Sequence, residues 1–269
     1  LSGALGPRNT EVRWLRSLLR DPELRRTEQR CVLEGPRPIL GALDRSAQLE
    51  TLFLGPGADR AFAPLVERIS IAGTEIIQLK DDAIERISTT RSPQPILALA
   101  ALPAPATSLA KLTGGGTLVV TIGINDPGNL GTILRSAEAS GAAAVMSCGS
   151  AVDLFNPKVV RSSAGAIFGI PVLEIEDSVA AMKSLTPEWN RVGAYVNDGE
   201  RYDTIDLHSR SAVVFGNEAH GLPRSLEPHI DQRMTIPLAG WAESLNVAMA
   251  VSVVCFEAAR QRNQNRIKP

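Results

Sequence analysis

Thr117-Leu118-Val119-Val120-Thr121-Ile122-Gly123-Ile124-Asn125-Asp126-Pro127-Gly128-Asn129-Leu130-Gly131-Thr132-Ile133-Leu134-Arg135-Ser136-Ala137-Glu138-Ala139-Ser140-Gly141 passes from an apolar, β-branched run through a Pro/Gly turn into a helical repeat. Leu130, Ile133, Leu134 and Ala137 fall on one helical face, Asn129 is a favoured N-cap type and Gly141 is the stop. That reading puts Arg135 about a turn and a half into the helix. The strand, turn and helix form one repeat of a parallel α/β sheet.

Working outward, the same grammar recurs. Val213-Val214-Phe215 runs into Gly216-Asn217-Glu218-Ala219-His220-Gly221-Leu222-Pro223, a glycine-punctuated loop where a ligand can approach the backbone, with Glu218 as its carboxylate. Thr235-Ile236-Pro237-Leu238-Ala239-Gly240-Trp241 reads as a short strand and turn before a helix over Glu243 to Arg260. Leu245, Met249, Ser252, Val253 and Phe256 repeat at helical spacing and predict its buried stripe. Strands at Leu118 to Ile122, Ala143 to Ser147, Val192 to Val196, Ala212 to Phe215 and Met234 to Ile236, alternating with helices, predict a mostly parallel, doubly wound sheet. Upstream, strands at Cys31 to Glu34, Leu49 to Leu54, Glu75 to Leu79 and Ile96 to Ala100, with helices between them, predict a smaller α/β unit. Leu102 to Gly116 is rich in Pro, Ala, Ser and Gly and reads as a linker. The expected division is therefore 1–103, a linker at 104–116, and 117–269.

Composition is compatible with a soluble enzyme without selecting one. The 269 residues are 44% hydrophobic, with no apolar run long enough to span a membrane. Cys31, Cys148 and Cys255 are odd in number and far apart, as expected of free thiols in a reducing cytoplasm. No Cys-x-x-Cys occurs and the three histidines lack ligand spacing, so no metal is expected. Gly-x-Gly-x-x-Gly does not follow the first strand of the second unit, and Gly-x-x-x-x-Gly-Lys-Ser/Thr is missing; this disfavours a dinucleotide-binding dehydrogenase and a phosphate-loop ATPase. The net charge is -1, yet residues 1 to 30 carry seven arginines against four carboxylates. An isolated stretch of this kind reads as a solvated helix laced with ion pairs; arginine is also the cation suited to forked phosphate contacts and to stacking on bases.

Asp126-Pro127-Gly128-Asn129-Leu130-Gly131 with Arg135, Gly216-Asn217-Glu218 with Gly221-Leu222, and Ser244-Leu245-Asn246 occur in this order over roughly the last 150 residues. Together they resemble the three signature motifs of the SpoU/TrmH family of RNA ribose 2′-O-methyltransferases, in the SPOUT class. Asn156-Pro157-Lys158-Val159-Val160-Arg161-Ser162-Ser163-Ala164-Gly165-Ala166 resembles the family's stretch between the first two motifs. The first unit resembles the ribosomal-protein-like substrate-binding domain of many members, on Val32-Leu33-Glu34-Gly35 and Thr89-Thr90-Arg91-Ser92-Pro93-Gln94.

The resemblance implies a trefoil knot in the second unit, a feature that general rules of chain topology disfavour. It implies S-adenosyl-L-methionine as cofactor, held around Val196, Asn197, Phe215, Gly216, Ile236, Leu238, Leu245 and Asn246. It also implies a catalytic set of Arg135, Asn129, Glu218, Ser244 and Asn246, with Arg135 the partner of the ribose 2′-oxygen. Each has an ordinary alternative: core for Ile236, Leu238 and Leu245, an N-cap for Asn129 and Ser244, a surface ion pair for Glu218. In this context Arg13, Arg16, Arg25 and Arg26 become candidate RNA contacts; Arg161 faces either RNA phosphate or a carboxylate of its own sheet, with RNA favoured. His220 reads as a loop side chain. The implied partners are RNA, with 23S ribosomal RNA favoured over transfer RNA, and a second copy of the chain in a homodimer, for which the helix from Glu243 is a candidate interface. A non-catalytic RNA-binding protein of the same fold is the rival reading.

Overall fold

The computed structural model describes residues 3–106, 116–149 and 152–266, and most of the expected linker lies outside them. The chain divides into two compact units. Leu1–Ala104 and Asp153–Gly169 make the first, Pro105–Val152 and Ile170–Pro269 the second. The sequence reading kept 117–269 together, whereas the folded chain distributes it over both units.

The first unit contains α1 (Thr10–Arg20), α2 (Pro22–Glu28), β1 (Arg30–Glu34), α3 (Pro36–Asp44), β2 (Leu49–Leu54), α4 (Ala58–Ala61), α5 (Ala63–Ile71), β3 (Glu75–Gln78), α6 (Asp81–Ile87) and β4 (Ile96–Ala101). Sheet order is β1-β4-β2-β3, with β4 antiparallel to both neighbours and β2 parallel to β3. Strand alternation sends Cys31, Leu33, Leu52, Leu54, Ile96 and Ala98 to one core and Val32, Phe53, Leu97 and Leu99 to the other. Val12, Leu15, Leu18 and Leu19 of α1 close the second core. Each such side chain, fully buried, contributes roughly 1.5–3 kcal/mol.

Residues 153–169, with α8 (Pro157–Ser163), complete the first core through Val160, Phe155 and Phe168. Glu34, 7% exposed, accepts hydrogen bonds from Ser88 Oγ (2.6 Å), Thr89 N (2.9 Å) and Thr89 Oγ1 (2.6 Å), and pairs with Arg161. A buried carboxylate with that many donors is satisfied, so Arg161 takes the carboxylate alternative, although Glu34 belongs to the first unit's sheet. Arg25 is corrected more strongly. It is 3% exposed, pairs with Asp153 and donates to the Leu18 carbonyl, which leaves it no free face for RNA.

The second unit contains β5 (Thr117–Ile122), α7 (Pro127–Ala139), β6 (Ala144–Cys148), β7 (Val172–Ile175), α9 (Ser178–Ser184), β8 (Asn190–Ala194), β9 (Glu200–Arg201), β10 (Ser211–Phe215), β11 (Gln232–Thr235) and α10 (Val247–Arg266). Every ladder of its sheet, ordered β7-β6-β5-β10-β8-β11-β9, is parallel. Covered on both faces, β5, β6 and β10 are buried at every position, which explains their unbroken apolar runs. Asp126, not Asn129, is the N-cap of α7: its carboxylate accepts from Asn129 N at 3.0 Å. Arg135 accordingly stands a little over two turns into the helix.

Helix α10 also departs from its expected face. Ala248, Val251, Val254, Cys255 and Ala258 are buried, while Met249 is 62% and Phe256 53% exposed. Apolar residues surround its first turns, so periodicity cannot choose a face; small side chains let it approach α7, where Ser136 Oγ and Ser252 Oγ lie 2.6 Å apart. Arg262 of this helix reaches Thr117 Oγ1 (2.7 Å) and the Ser140 carbonyl at the end of α7 (2.7 Å). All three cysteines are free and buried, and burial pushes each thiol up to about 12. No helix among the described residues is long and apolar enough to cross a membrane.

Gly165 has φ +89°, and a Cβ there would lie 2.4 Å from the Gly41 carbonyl carbon. Gly57 is also left-handed at +76° but faces open space. Gly165→Ala is expected to cost at least ~2 kcal/mol in urea unfolding, whereas Gly57→Ala costs only its backbone strain, about 1 kcal/mol.

Candidate active site

Parallel strands expose their carboxyl ends on one edge, where ligands of open α/β sheets bind. Three adjacent strands, β10, β8 and β11, deliver their following loops there: Gly216–Leu222, Tyr195–Gly199 and Ile236–Asn246. The turn from β5 into α7 supplies a fourth.

Side-chain amides tie these loops together. Asn129, at the third position of α7, donates Nδ2 to Glu218 Oε1 at 2.8 Å and accepts from Asn246 Nδ2 at 3.0 Å. Asn246 is itself the cap of α10, with Oδ1 accepting from Ala248 N (2.9 Å) and Met249 N (3.4 Å). Asn217 donates Nδ2 to the Gly123 carbonyl at 2.7 Å, and its Oδ1 accepts from Ala219 N (2.9 Å) and His220 N (3.2 Å). Neutral bonds of this kind are worth about 1 kcal/mol each, and one to a carboxylate such as Glu218 somewhat more, enough collectively to hold loops that lack a backbone ladder.

The loop after β8 is pinned from β11. Arg233 pairs with Asp198 and Glu227 and lies 5.0 Å from the Tyr195 ring centroid. Burial, and secondarily the Glu227 charge, raises the Tyr195 hydroxyl above its ordinary value. Gly199, at φ +134°, packs so closely that a Cβ would lie 2.6 Å from the Arg233 backbone. Thr235 Oγ1 donates to the Val196 carbonyl at 2.8 Å. In the loop after β10, a Cβ on Gly216 would lie 2.1 Å from the Gly221 backbone, so only glycine permits the closure that pairs Asn217 with Gly221.

The residues selected from sequence separate into groups. Asn129, Glu218 and Asn246 form one connected chain. Val196 is 50% exposed; Ile236, Leu238 and Leu245 are half-buried, while the Phe215 side chain is core and only its main chain reaches the edge. Among the described residues, Arg135 and Ser244 are exposed without a hydrogen-bond or ion-pair partner, and Ser244 is not a cap. Glu218 therefore orients Asn129 but not Arg135. Sequence reading passed over Asn217, Thr235, Asp198 and Arg233; an Asn opening a Gly-ended loop was the one signal available, as a side-chain-closed turn.

The residues fit an adenosyl cofactor. Half-buried apolar side chains stand beside main chain that, over 236–245, makes no backbone-to-backbone hydrogen bond among the described residues. Such a segment can read the polar edge of a purine while the side chains cover its faces.

Asn246→Ser keeps a cap and removes the amide donor to Asn129. Thermal stability should change by less than about 1 kcal/mol, while amide hydrogen exchange over 216–221 and 236–245 rises.

Residues 116–256 match the family model described as the SpoU rRNA Methylase family, and residues 9–98 match the MRM3-like substrate binding domain. The chain is 33% identical over 185 residues to the 23S rRNA (guanosine(2553)-2′-O)-methyltransferase RlmP of Bacillus subtilis, covering 68% of this chain and 72% of that protein. It is 29% identical over 267 residues to the 23S rRNA (uridine(2479)-2′-O)-methyltransferase of Streptomyces viridochromogenes, covering 96% and 92%. Among solved structures, the SpoU methyltransferase AviRb from Streptomyces viridochromogenes in complex with the cofactor AdoMet aligns with TM-score 0.80 at 27% identity, over 95% of this chain and 99% of that one. Motifs, parallel sheet and a family match across more than half of the residues agree: the chain belongs to the SpoU rRNA methylase family.

Proposed function

We propose that the protein methylates a ribose 2′-oxygen in ribosomal RNA, 23S rRNA being the substrate, with S-adenosyl-L-methionine as methyl donor. The observation that carries this reading is the bonded chain Asn246–Asn129–Glu218, which joins the loops at the strand ends to the helix bearing Arg135. Family membership and the 23S rRNA 2′-O-methyltransferases among its relatives support the substrate class.

When bound, the cofactor supplies a sulfonium-activated methyl group. The protein's part is then to position the acceptor oxygen in line, exclude water and help remove one proton. Val196, Ile236, Leu238 and Leu245 would hold the adenosyl part, with main-chain groups of Asn197, Phe215, Gly216 and Asn246 completing the site. Arg135 orients the ribose oxygen and neutralises a neighbouring phosphate. A guanidinium holds its proton throughout the physiological range, so the hydroxyl proton leaves to an RNA phosphate or water instead. Asn129 and Glu218 keep the first turns of α7 in register with the loops. Ser244 contacts the ribose or the cofactor carboxylate.

The site is completed in a homodimer, with Arg135 serving the partner's cofactor. Met249, Val253 and Phe256 support this: spaced by four and three residues, they leave an apolar stripe of α10 exposed, and a two-fold axis can bury such a stripe against itself. The trefoil knot belongs to the same proposal and rests on family membership. A cytoplasmic location follows from the substrate.

The decisive experiment incubates purified protein with labelled S-adenosylmethionine and unmodified ribosomal or transfer RNA, then identifies the methylated nucleoside by mass spectrometry. Label in a single 2′-O-methyl nucleoside of 23S rRNA is expected. Label confined to transfer RNA would move the substrate class, and no binding of cofactor or label would return the non-catalytic reading. Arg135→Ala should lower kcat at least ~100-fold with cofactor affinity changed less than about twofold. In Met249→Glu/Phe256→Glu, sedimentation velocity should find monomers and turnover should fall together with the dimer.

A further inference from the structure

The arginines of the first unit fall into two populations. Arg25, Arg26, Arg30, Arg68 and Arg161 each face a carboxylate: Asp153, Glu23, Glu50, Asp44 and Glu34 in turn. Arg37, Arg60 and Arg91 have no side-chain hydrogen-bond or ion-pair partner among the described residues, and neither do Arg8, Arg13, Arg16, Arg20 and Arg86. Those five converge. Arg13, Arg16 and Arg20 line an open groove of about 540 Å³, and Arg13 and Arg16 also line an adjoining groove of about 340 Å³ with Arg8 and Arg86.

Positions 13, 16 and 20 form one stripe along α1, roughly 10 Å long at the rise of an α-helix. Asp21 is the one carboxylate in the larger groove, and its Oδ1 is occupied in capping α2, accepting from Glu23 N (2.9 Å) and Leu24 N (3.2 Å). Arg16 Nε is buried with no hydrogen-bond acceptor, although nearly all such groups in folded proteins have one. A helix-dipole role accounts for Arg20 in the last turn of α1 and Arg86 in the last turn of α6, but not for Arg8 or Arg13.

We propose that this stripe is a phosphodiester cradle that takes the sugar–phosphate backbone of the substrate RNA, with phosphate oxygens as acceptors for the guanidinium N–H groups that face the grooves. The inference rests on the RNA reading above and deepens it. Two adjoining grooves sharing Arg13 and Arg16 suit a polyanion better than one free phosphate, and the unit that carries them matches a substrate binding domain. Arg8, Arg20 and Arg86 join Arg13 and Arg16 as contacts. Arg25, buried against Asp153, leaves the set; Arg26, exposed and ion-paired with Glu23, lines neither groove.

The test measures binding of in vitro transcribed ribosomal RNA to the full-length chain across a salt series, for wild type, Arg13→Gln/Arg16→Gln/Arg20→Gln and the control Arg26→Gln/Arg68→Gln. Circular dichroism and cofactor binding serve as checks on folding. Loss of three phosphate contacts should flatten the slope of log K against log salt by about 2 to 3, with the control close to wild type and cofactor binding intact. A triple variant that binds RNA with the wild-type slope overturns the cradle and leaves the methyltransferase reading standing. A wild-type protein that binds cofactor but no ribosomal or transfer RNA overturns both. Arginine-dependent binding to phosphatidylserine vesicles in place of RNA would assign the stripe to a lipid surface and also overturn the proposal.

Discussion

Asn129 accepts a hydrogen bond from one loop and donates to another, and the arrangement of the candidate site depends on that amide. A parallel sheet organises its strands through backbone ladders, but the loops beyond the strand ends have no ladder and must be held by side chains. An amide suits this place because it offers donor and acceptor on one planar group; a carboxylate could only accept, a hydroxyl has shorter reach. Asn246 and Asn217 repeat the device, each closing its own local turn while reaching to a second segment. Three asparagines thus convert strand ends into one ordered edge with little help from the apolar core.

Close backbone approach is the complementary constraint. Gly216 closes its loop on Gly221, Gly199 lies against Arg233, and Gly41 meets Gly165 in the first unit; a Cβ would collide at each. These contacts save space where charged or amide side chains must occupy the surroundings. The pinned loop after β8 illustrates the division of labour: Gly199 permits the approach and Arg233, held by Asp198 and Glu227, maintains it. Charge is distributed by a similar logic. Arg25, Arg30 and Arg161 of the first unit have carboxylate partners, and among the described residues the arginines of the α1 stripe do not.

Much of the architecture was legible because its signals are local. The β-branched runs at Thr117 to Ile122 and Ser211 to Phe215 are strands buried on both faces, and the helices with caps and apolar spacing formed within a few residues of their expected bounds. Short elements escaped: α2 has little apolar content, and α6 and β7 are too short for a period to register before neighbours fix their form. The α10 stripe was assigned to the wrong side because several faces are apolar. In the candidate site, Asn129, Glu218 and Asn246 were selected through their motifs, but the bonds among them connect residues 89 and 117 positions apart and have no local signature.

The main strands and longer helices, the glycine-punctuated loops and the family motifs were determined by the sequence alone, since each depends on residue type and on spacing within one turn or strand. The tertiary structure decided which arginines are paired, which face of α10 is left bare and which unit residues 153–169 join. Those outcomes turn on contacts between segments distant along the chain. Whether Arg25 faces solvent or Asp153 is a competition between hydration and a desolvated pair 128 residues away, and only the folded chain brings the two alternatives to one place.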